Sequence, residues 1–211
     1  MGNEDYTYLL CYTRIPLENL IYSPKLAYSM HIAVSKDGKN FEALNHNSGV
    51  LFAKATGNKD GTLNPKSLKN PYIFHCLDGT FGVIAERIEF DGRNDLESKG
   101  CVILFKSSDL LSYEEVGLID LKGDTFVEDA ICEYNPSTNM YEIIWCDEYG
   151  NYFKNTMSNI TDLESVSKPE PADVFSIESP KTDIEGAVER NVIRVPAAIG
   201  NRVKTKLSVL T

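Results

Sequence analysis

Residues 67–89, SLKNPYIFHCLDGTFGVIAERIE, carry the clearest structural signal in the chain. A polar entry ends in Asn70-Pro71, and the apolar run Tyr72, Ile73, Phe74 follows. Asp78-Gly79 then reads as a two-residue turn, with a second apolar run over residues 81–85. Two β-prone runs flanking Asp-Gly specify a hairpin, because these two residues tolerate the positive φ that tight turns demand. Pro71 has no N–H to give to a ladder, so it belongs at the start of its strand. Weaker copies of this plan recur on both sides.

Upstream, residues 6–14 (YTYLLCYTR) read as a first strand, and Pro16 and Pro24 make residues 15–25 a loop. Residues 26–34 and 40–44 read as strands around a turn at 36–39. Residues 45–69 are rich in Asn, Gly, Lys and Ser, which predicts a long loop of the kind that often carries function. Downstream, a polar loop over 90–100 precedes CVILFK (101–106), whose continuous apolar character marks a central strand. Further strands follow near 113–120, 130–134, 141–146 and 152–157.

Three segments share one plan: HIAVSKDGKNFEAL (31–44), VILFKSSDLLSYEEV (102–116) and YFKNTMSNITDLESV (152–166). Each is a strand, a polar Ser/Asp/Asn turn, then an aromatic or leucine on a short acidic strand. Each follows an inner apolar strand or hairpin, over 6–14, 71–88 and 130–146. The period of about 50–70 residues is that of β-propeller blades. The expectation is an all-β, β-propeller-like fold with about three blades visible; an ordinary β-sandwich of short strands is the alternative. Residues 1–166 form the propeller-like domain, and residues 167–190, with Pro169, Pro171 and Pro180 among acidic residues, form a linker. Residues 191–211 read as an extended tail or the start of a further β module. There Val203, Thr205, Leu207 and Val209 alternate with polar residues as in a half-buried strand. A helix starting at Pro196 competes with that reading and is weakened by Gly200.

With 31 acidic and 21 basic residues the net charge is −10. That argues against nucleic-acid and anionic-membrane partners, which need a basic face, and favours a neutral or cationic one. No apolar run approaches the ~20 residues of a membrane span, and the first residues lack the character of a signal peptide, so a cytoplasmic setting is expected. Five cysteines, at 11, 76, 101, 132 and 146, form no CxxC pair, and three histidines share no ligand spacing. Reduced, buried thiols are expected, with no metal and no cofactor.

The pairing of a strand with Ser-x-Asp-Gly/Leu-x-x-Phe/Tyr, at 35–41 and 108–113, resembles the outer hairpins of glycoside hydrolase family 43-like five-bladed β-propellers. SLKNPYIFHCLDGTFGVIA resembles that family's second-blade opening, where Arg-Asp-Pro commonly starts the inner strand. VEDAICEYNPSTNMYEIIW (127–145) resembles the third-blade opening. The likeness covers about residues 5–166 and implies the N-terminal portion of a larger carbohydrate-active enzyme.

The resemblance implies three carboxylates at inner-strand starts: an Asp base, a modulating Asp and a Glu acid. This sequence offers Asp5 without the Asp-Pro context, Asn70 where a carboxylate is expected, and Glu128-Asp129 in a shifted setting. Glu185 lies beyond the linker. The catalytic candidates are therefore Asp129, Glu185 and Asp5. Asn70, Tyr149, Trp145, His75 and Arg87 are candidates for holding a sugar, through amide, imidazole or guanidinium hydrogen bonds and aromatic stacking. Each has a structural alternative: a turn at Asn70, core packing for Trp145, a hydrogen-bonded histidine at His75, and pairing of Arg87 with Glu86 or Glu89. The expectation is an accessory, non-catalytic domain that binds arabinose- or xylose-containing glycan or packs on downstream domains of the same polypeptide. The alternatives are an active α-L-arabinofuranosidase or β-xylosidase, and an assembly module that self-associates through exposed sheet edges.

Overall fold

The computed structural model describes residues 5–15 and 28–208. Most of the loop expected over 15–25, and the first residues of the strand expected from 26, lie outside them. The described chain is all-β apart from one helix and three short 3₁₀ turns, and its strands form four small antiparallel sheets.

The first sheet holds β1 (Tyr6–Arg14), β2 (His31–Ser35) and β3 (Glu42–Ala43). A two-stranded ribbon of β4 (Thr56–Gly57) and β5 (Leu63–Asn64) lies within the stretch expected to be a long loop. The second large sheet is β6 (Lys66–His75), β7 (Phe81–Glu89), β8 (Cys101–Ser107) and β9 (Glu114–Asp120), in that order. The third is β10 (Val127–Asn135), β11 (Met140–Asp147), β12 (Tyr152–Met157) and β13 (Glu170–Pro171). The last strand, β14 (Ala187–Pro196), returns to the first sheet and pairs with β1 from Tyr6–Pro196 to Arg14–Ala187, so the order there is β14-β1-β2-β3.

The decisive hairpin forms with a different turn from the one expected. Cys76 N donates to Thr80 O and Gly79 N to Cys76 O, with Gly79 at φ 79°, so three residues make the loop. A type I turn followed by a left-handed residue produces this geometry, and glycine enters that region without a Cβ clash. The same bonds recur at residues 58–62, 89–93 and 147–151, with Gly61, Gly92 and Gly150 in the left-handed position.

The repeat read from the sequence corresponds to equivalent strands. β2, β8 and β12 are each third in their sheets. After β2, Ser35 Oγ accepts from Gly38 N (3.0 Å) and Asp37 Oδ1 from Asn40 N (2.8 Å). After β8, Ser107 Oγ accepts from Leu110 N (2.7 Å) and Asp109 Oδ1 from Ser112 N (2.9 Å). Side-chain oxygens thus fold the backbone back toward the outermost strand.

The second sheet is the middle layer. Ile73, Phe81, Val83, Ala85, Ile103 and Phe105 face the first sheet, packing with Leu9, Ile32, Ile193 and Val195. Tyr72, Phe74, Ile84, Val102 and Leu104 face the third, packing with Cys132, Tyr141, Ile143 and Trp145. A strand covered on both sides must be apolar on both, which explains the unbroken VILF of β8. In β11, covered on one side, burial alternates strictly through Tyr141, Ile143, Trp145 and Asp147.

Two expectations are overturned at the C-terminal end. Residues 187–196, divided between a linker and a tail, are a strand of the first sheet, so residues 6–14 are second in it and not innermost. The strand expected over 203–209 is instead part of helix α1, Ala197–Ser208, with Val209 outside the described residues. Val203 and Leu207 satisfy both periods, being two alternations and one helical turn apart; with Ile199 they pack on the core between the first two sheets. Gly200, which weighs against a helix by propensity, permits its docking, because a Cβ there would fall on the Thr7 side chain.

β14 joins the middle sheet through Asn191, whose Nδ2 donates to Ile73 O (2.7 Å) and whose Oδ1 accepts from Ile73 N (3.2 Å). Asn191→Ala leaves both backbone groups unpaired in a buried place and is expected to cost about 2–3 kcal/mol by urea denaturation. A second expectation concerns pH. His31 is buried beside Tyr12, with Nδ1–H donating to Ser29 O (3.0 Å), and burial pushes its imidazole down to about 4. A base depressed on folding contributes stability above its unfolded pKa of about 6.5 that is lost as pH falls toward 4, by about 3 kcal/mol in full. His31→Gln is expected to flatten the unfolding free energy between those pH values; an unchanged profile would refute the assignment.

Candidate functional site

The starts of β6, β10 and β14 converge on a polar cluster. Both β6 and β10 break register there, between Lys69 and Tyr72 and between Val127 and Asp129. Bulges re-aim side chains, and these two bring Asn70 and Asp129 toward the same point. Asn70 adopts φ 48°, a left-handed conformation that asparagine tolerates better than most residues. Its Nδ2 donates to Glu86 Oε1 (3.0 Å) and to Glu128 O (2.8 Å), tying β7 to β10.

Charges surround this amide. Lys69 Nζ lies 3.0 Å from Glu128 Oε2 and 3.7 Å from Glu86 Oε2. Arg190 of β14 grips Asp129 with both terminal nitrogens, at 3.1 and 2.5 Å, and its Nε donates to Pro71 O (3.4 Å). One guanidinium therefore touches all three strands. Such a fork matches a carboxylate in a way that lysine cannot.

Glu86 is 5% exposed. Burial pushes its carboxyl well above the usual range, Lys69, the Asn70 amide and Arg190 oppose this, and Asp129 adds to the rise. Lys69 is itself raised: burial disfavours its charge, but Glu86 and Glu128 more than offset that. The nearby Cys146 thiol is pushed up to about 11 by burial and then by Asp129, Glu86 and Glu128, so it is a poor nucleophile. The cluster offers hydrogen-bond donors and acceptors to hydroxyl groups at its open side, where Lys69, Glu128 and Asp129 are partly exposed.

The catalytic candidates do not converge. Asp129 is in the cluster, held by Arg190. Asp5 precedes β1, where its backbone O accepts from Ala197 N (2.9 Å). Glu185 precedes β14 beside Arg14, its carboxylate 71% exposed and 4.0 Å from that guanidinium. Because β1 and β14 pair from Tyr6–Pro196 to Arg14–Ala187, Asp5 and Glu185 sit at opposite ends of one ladder, about 25–30 Å apart at strand rise. An inverting pair needs ~6.5–9.5 Å.

Of the sugar-binding candidates, only Asn70 belongs to the cluster. Trp145 is 1% exposed, stacks near Phe153 and donates from its indole N to Asn155 Oδ1 (2.8 Å), so it is core. Arg87 pairs with Asp95 (2.7 Å) and Glu97 (3.5 Å), not with Glu86 or Glu89. Asp95 is buried with Lys66, which also holds Glu89, so these groups clamp the 90–100 loop. Tyr149, 74% exposed, lies in the β11–β12 turn beyond Cys146, its backbone N donating to Asp147 Oδ1 (2.9 Å), and its ring is not part of the cluster. His75 closes β6 at its far end, its ring 5.4 Å from Phe81.

Glu86, Lys69 and Arg190 were not read from the sequence as parts of one site. The available signal for Arg190 was the β-branched run of AVERNVIRVP, which marks a strand and not a tail. Among the described residues no group of three or more His, Cys, Asp or Glu side chains is placed to hold a metal ion, and no helix is long and apolar enough to cross a membrane. Comparison with protein-family models and with curated proteins finds no match for this chain.

Replacing Glu86 by Gln tests the electrostatics. An acid raised on folding contributes stability that is full below its unfolded pKa near 4.5 and is lost as pH rises through its folded value. The Gln variant keeps the acceptor for Asn70 and cannot ionise. Its unfolding free energy relative to the native chain is expected to grow as pH rises above 4.5, by chemical denaturation at each pH. A difference that is constant or shrinking would show that Glu86 is not raised.

Proposed function

We propose that the three large sheets are blades of a propeller-like fan and that the chain is an accessory, non-hydrolytic portion of a carbohydrate-active enzyme resembling glycoside hydrolase family 43. The observation that carries this reading is the separation of Asp5 from Glu185, with Asp129 committed to Arg190. Glycoside hydrolysis needs two carboxyl groups across one bond, and no such pair forms from the expected residues. Asn70, standing where the family places a carboxylate, cannot transfer a proton and instead braces Glu86 and Glu128.

In this reading the open side of the cluster holds glycan hydroxyls, with Lys69 donating and Glu128 accepting. Arabinose- or xylose-containing oligosaccharides are the expected ligands, on the strength of the resemblance. The ordering of β6, β10 and β14 by Arg190 supports a preformed face, which lowers the entropy cost of binding.

The test pairs two measurements. Isothermal titration with arabinose-substituted xylo-oligosaccharides is expected to show saturable binding, weakened about tenfold by Glu128→Gln or Lys69→Met as single hydrogen bonds are lost. Incubation with p-nitrophenyl α-L-arabinofuranoside and β-D-xyloside is expected to release no product. Turnover abolished by Asp129→Asn would replace the accessory reading with a hydrolase. Absence of glycan binding in folded protein would overturn the glycan role.

A further inference from the structure

Farther along the same three strands, beginning at Tyr72 and Asn191 next to the cluster, lies a cavity of about 410 Å³. Its volume is within the range of small-ligand sites. Tyr72 and Phe74 of β6, Tyr134 of β10 and Ile193 of β14 supply apolar and aromatic wall, while Glu133 and His75 stand at its rim. Tyr134 meets Tyr141 edge-on at 5.2 Å, and Phe74 meets the same ring at 6.3 Å, so two of the walls are braced from behind.

The polar groups here are mostly spent. Asn191 gives both ends of its amide to Ile73. The Tyr72 hydroxyl donates to Glu133 Oε1 (2.9 Å), and the Tyr134 hydroxyl donates to Asn139. Few donors remain for a sugar ring. What remains is the His75 imidazole at the rim and the Glu133 carboxylate, exposed, with no ion pair among the described residues. Burial, then the charge and hydrogen bond of Glu133, raise the Tyr72 phenol, and the Arg190 guanidinium opposes the rise.

We propose that this cavity binds an organic cation, an ammonium group seated against the rings of Tyr72 and Tyr134 with Glu133 as its counter-charge. Aromatic faces attract ammonium ions through their quadrupole, most strongly where water is excluded. A single carboxylate cannot hold calcium, which takes six to eight oxygens, so the wall chemistry suits a diffuse organic cation and not a hard metal ion. The net charge of −10 adds a field of the same sense. This site adjoins the polar cluster along the same strands, Tyr72 following Pro71 and Asn191 following Arg190, and is distinguished from it by an aromatic wall.

The test uses choline chloride and its neutral isostere 3,3-dimethylbutan-1-ol, titrated into the native chain and into Glu133→Gln. Gln keeps the acceptor for Tyr72, and an unchanged thermal melt establishes that the variant is folded. Choline is expected to bind about tenfold more tightly than the alcohol, and Glu133→Gln to erase that preference. Amide NMR shifts with choline are expected at Tyr72, Glu133 and Val192. If Glu133→Gln melts early, Tyr134→Ala supplies the second variant, with choline affinity again expected to fall. Equal affinity for the two ligands, no saturation by about 50 mM choline, or shifts confined to other surfaces would overturn the proposal.

Discussion

Arg190 is the hub on which the centre of this molecule depends. Its guanidinium binds Asp129 of β10 and the carbonyl of Pro71 on β6 while its backbone belongs to β14. A guanidinium buried this far must be paired, because removing either partner leaves a charge in a poorly hydrated place. The bulges in β6 and β10 exist at the level where this pairing occurs. Asn70 and Lys69 then arrange Glu86 and Glu128 around it. The apolar faces on either side of the middle sheet provide the bulk of the cohesion, but they are non-directional. Directional polar bonds from Arg190 and Asn191 hold β14 beside β6 and β10.

Much of the outer architecture was legible in the sequence because it is local. Asp-Gly pairs mark turns, Ser and Asp oxygens cap them, and the unbroken VILF of β8 marks a strand covered on both faces. These signals depend on residues a few positions apart. The three-residue length of the turns was not legible, since Asp-Gly suits both turn lengths and the hydrogen bond of Cys76 with Thr80 decides between them.

The closing strand was illegible for a different reason. β14 pairs with a strand some 190 residues earlier at Tyr6–Pro196, and nothing local distinguishes a strand that completes the first sheet from the opening of a new module. The helix after it was masked by coincidence, because Val203 and Leu207 fit both periods. Gly200 misled by propensity, which measures isolated helices and not close contact with Thr7. The site shared this fate. Asp129 and Asn70 could be singled out because each opens an inner strand, whereas Glu86 and Arg190 become members only through tertiary pairing.

The pairing also bears on function. A carboxylate gripped on both oxygens by arginine is positioned to organise a surface, and one oxygen would have to be released before it served as a base. Glu86, buried and braced by Asn70, is a structural acid in the same sense. The measurement that tests the central claim is a double-mutant cycle of Arg190→Met and Asp129→Ala, followed by urea unfolding. The account predicts a coupling energy of about 2 kcal/mol or more, with Arg190→Met alone the costlier change because it removes the bonds to both Asp129 and Pro71. A coupling near zero would contradict it and would show that the Arg190–Asp129 pair does not hold the three strands together.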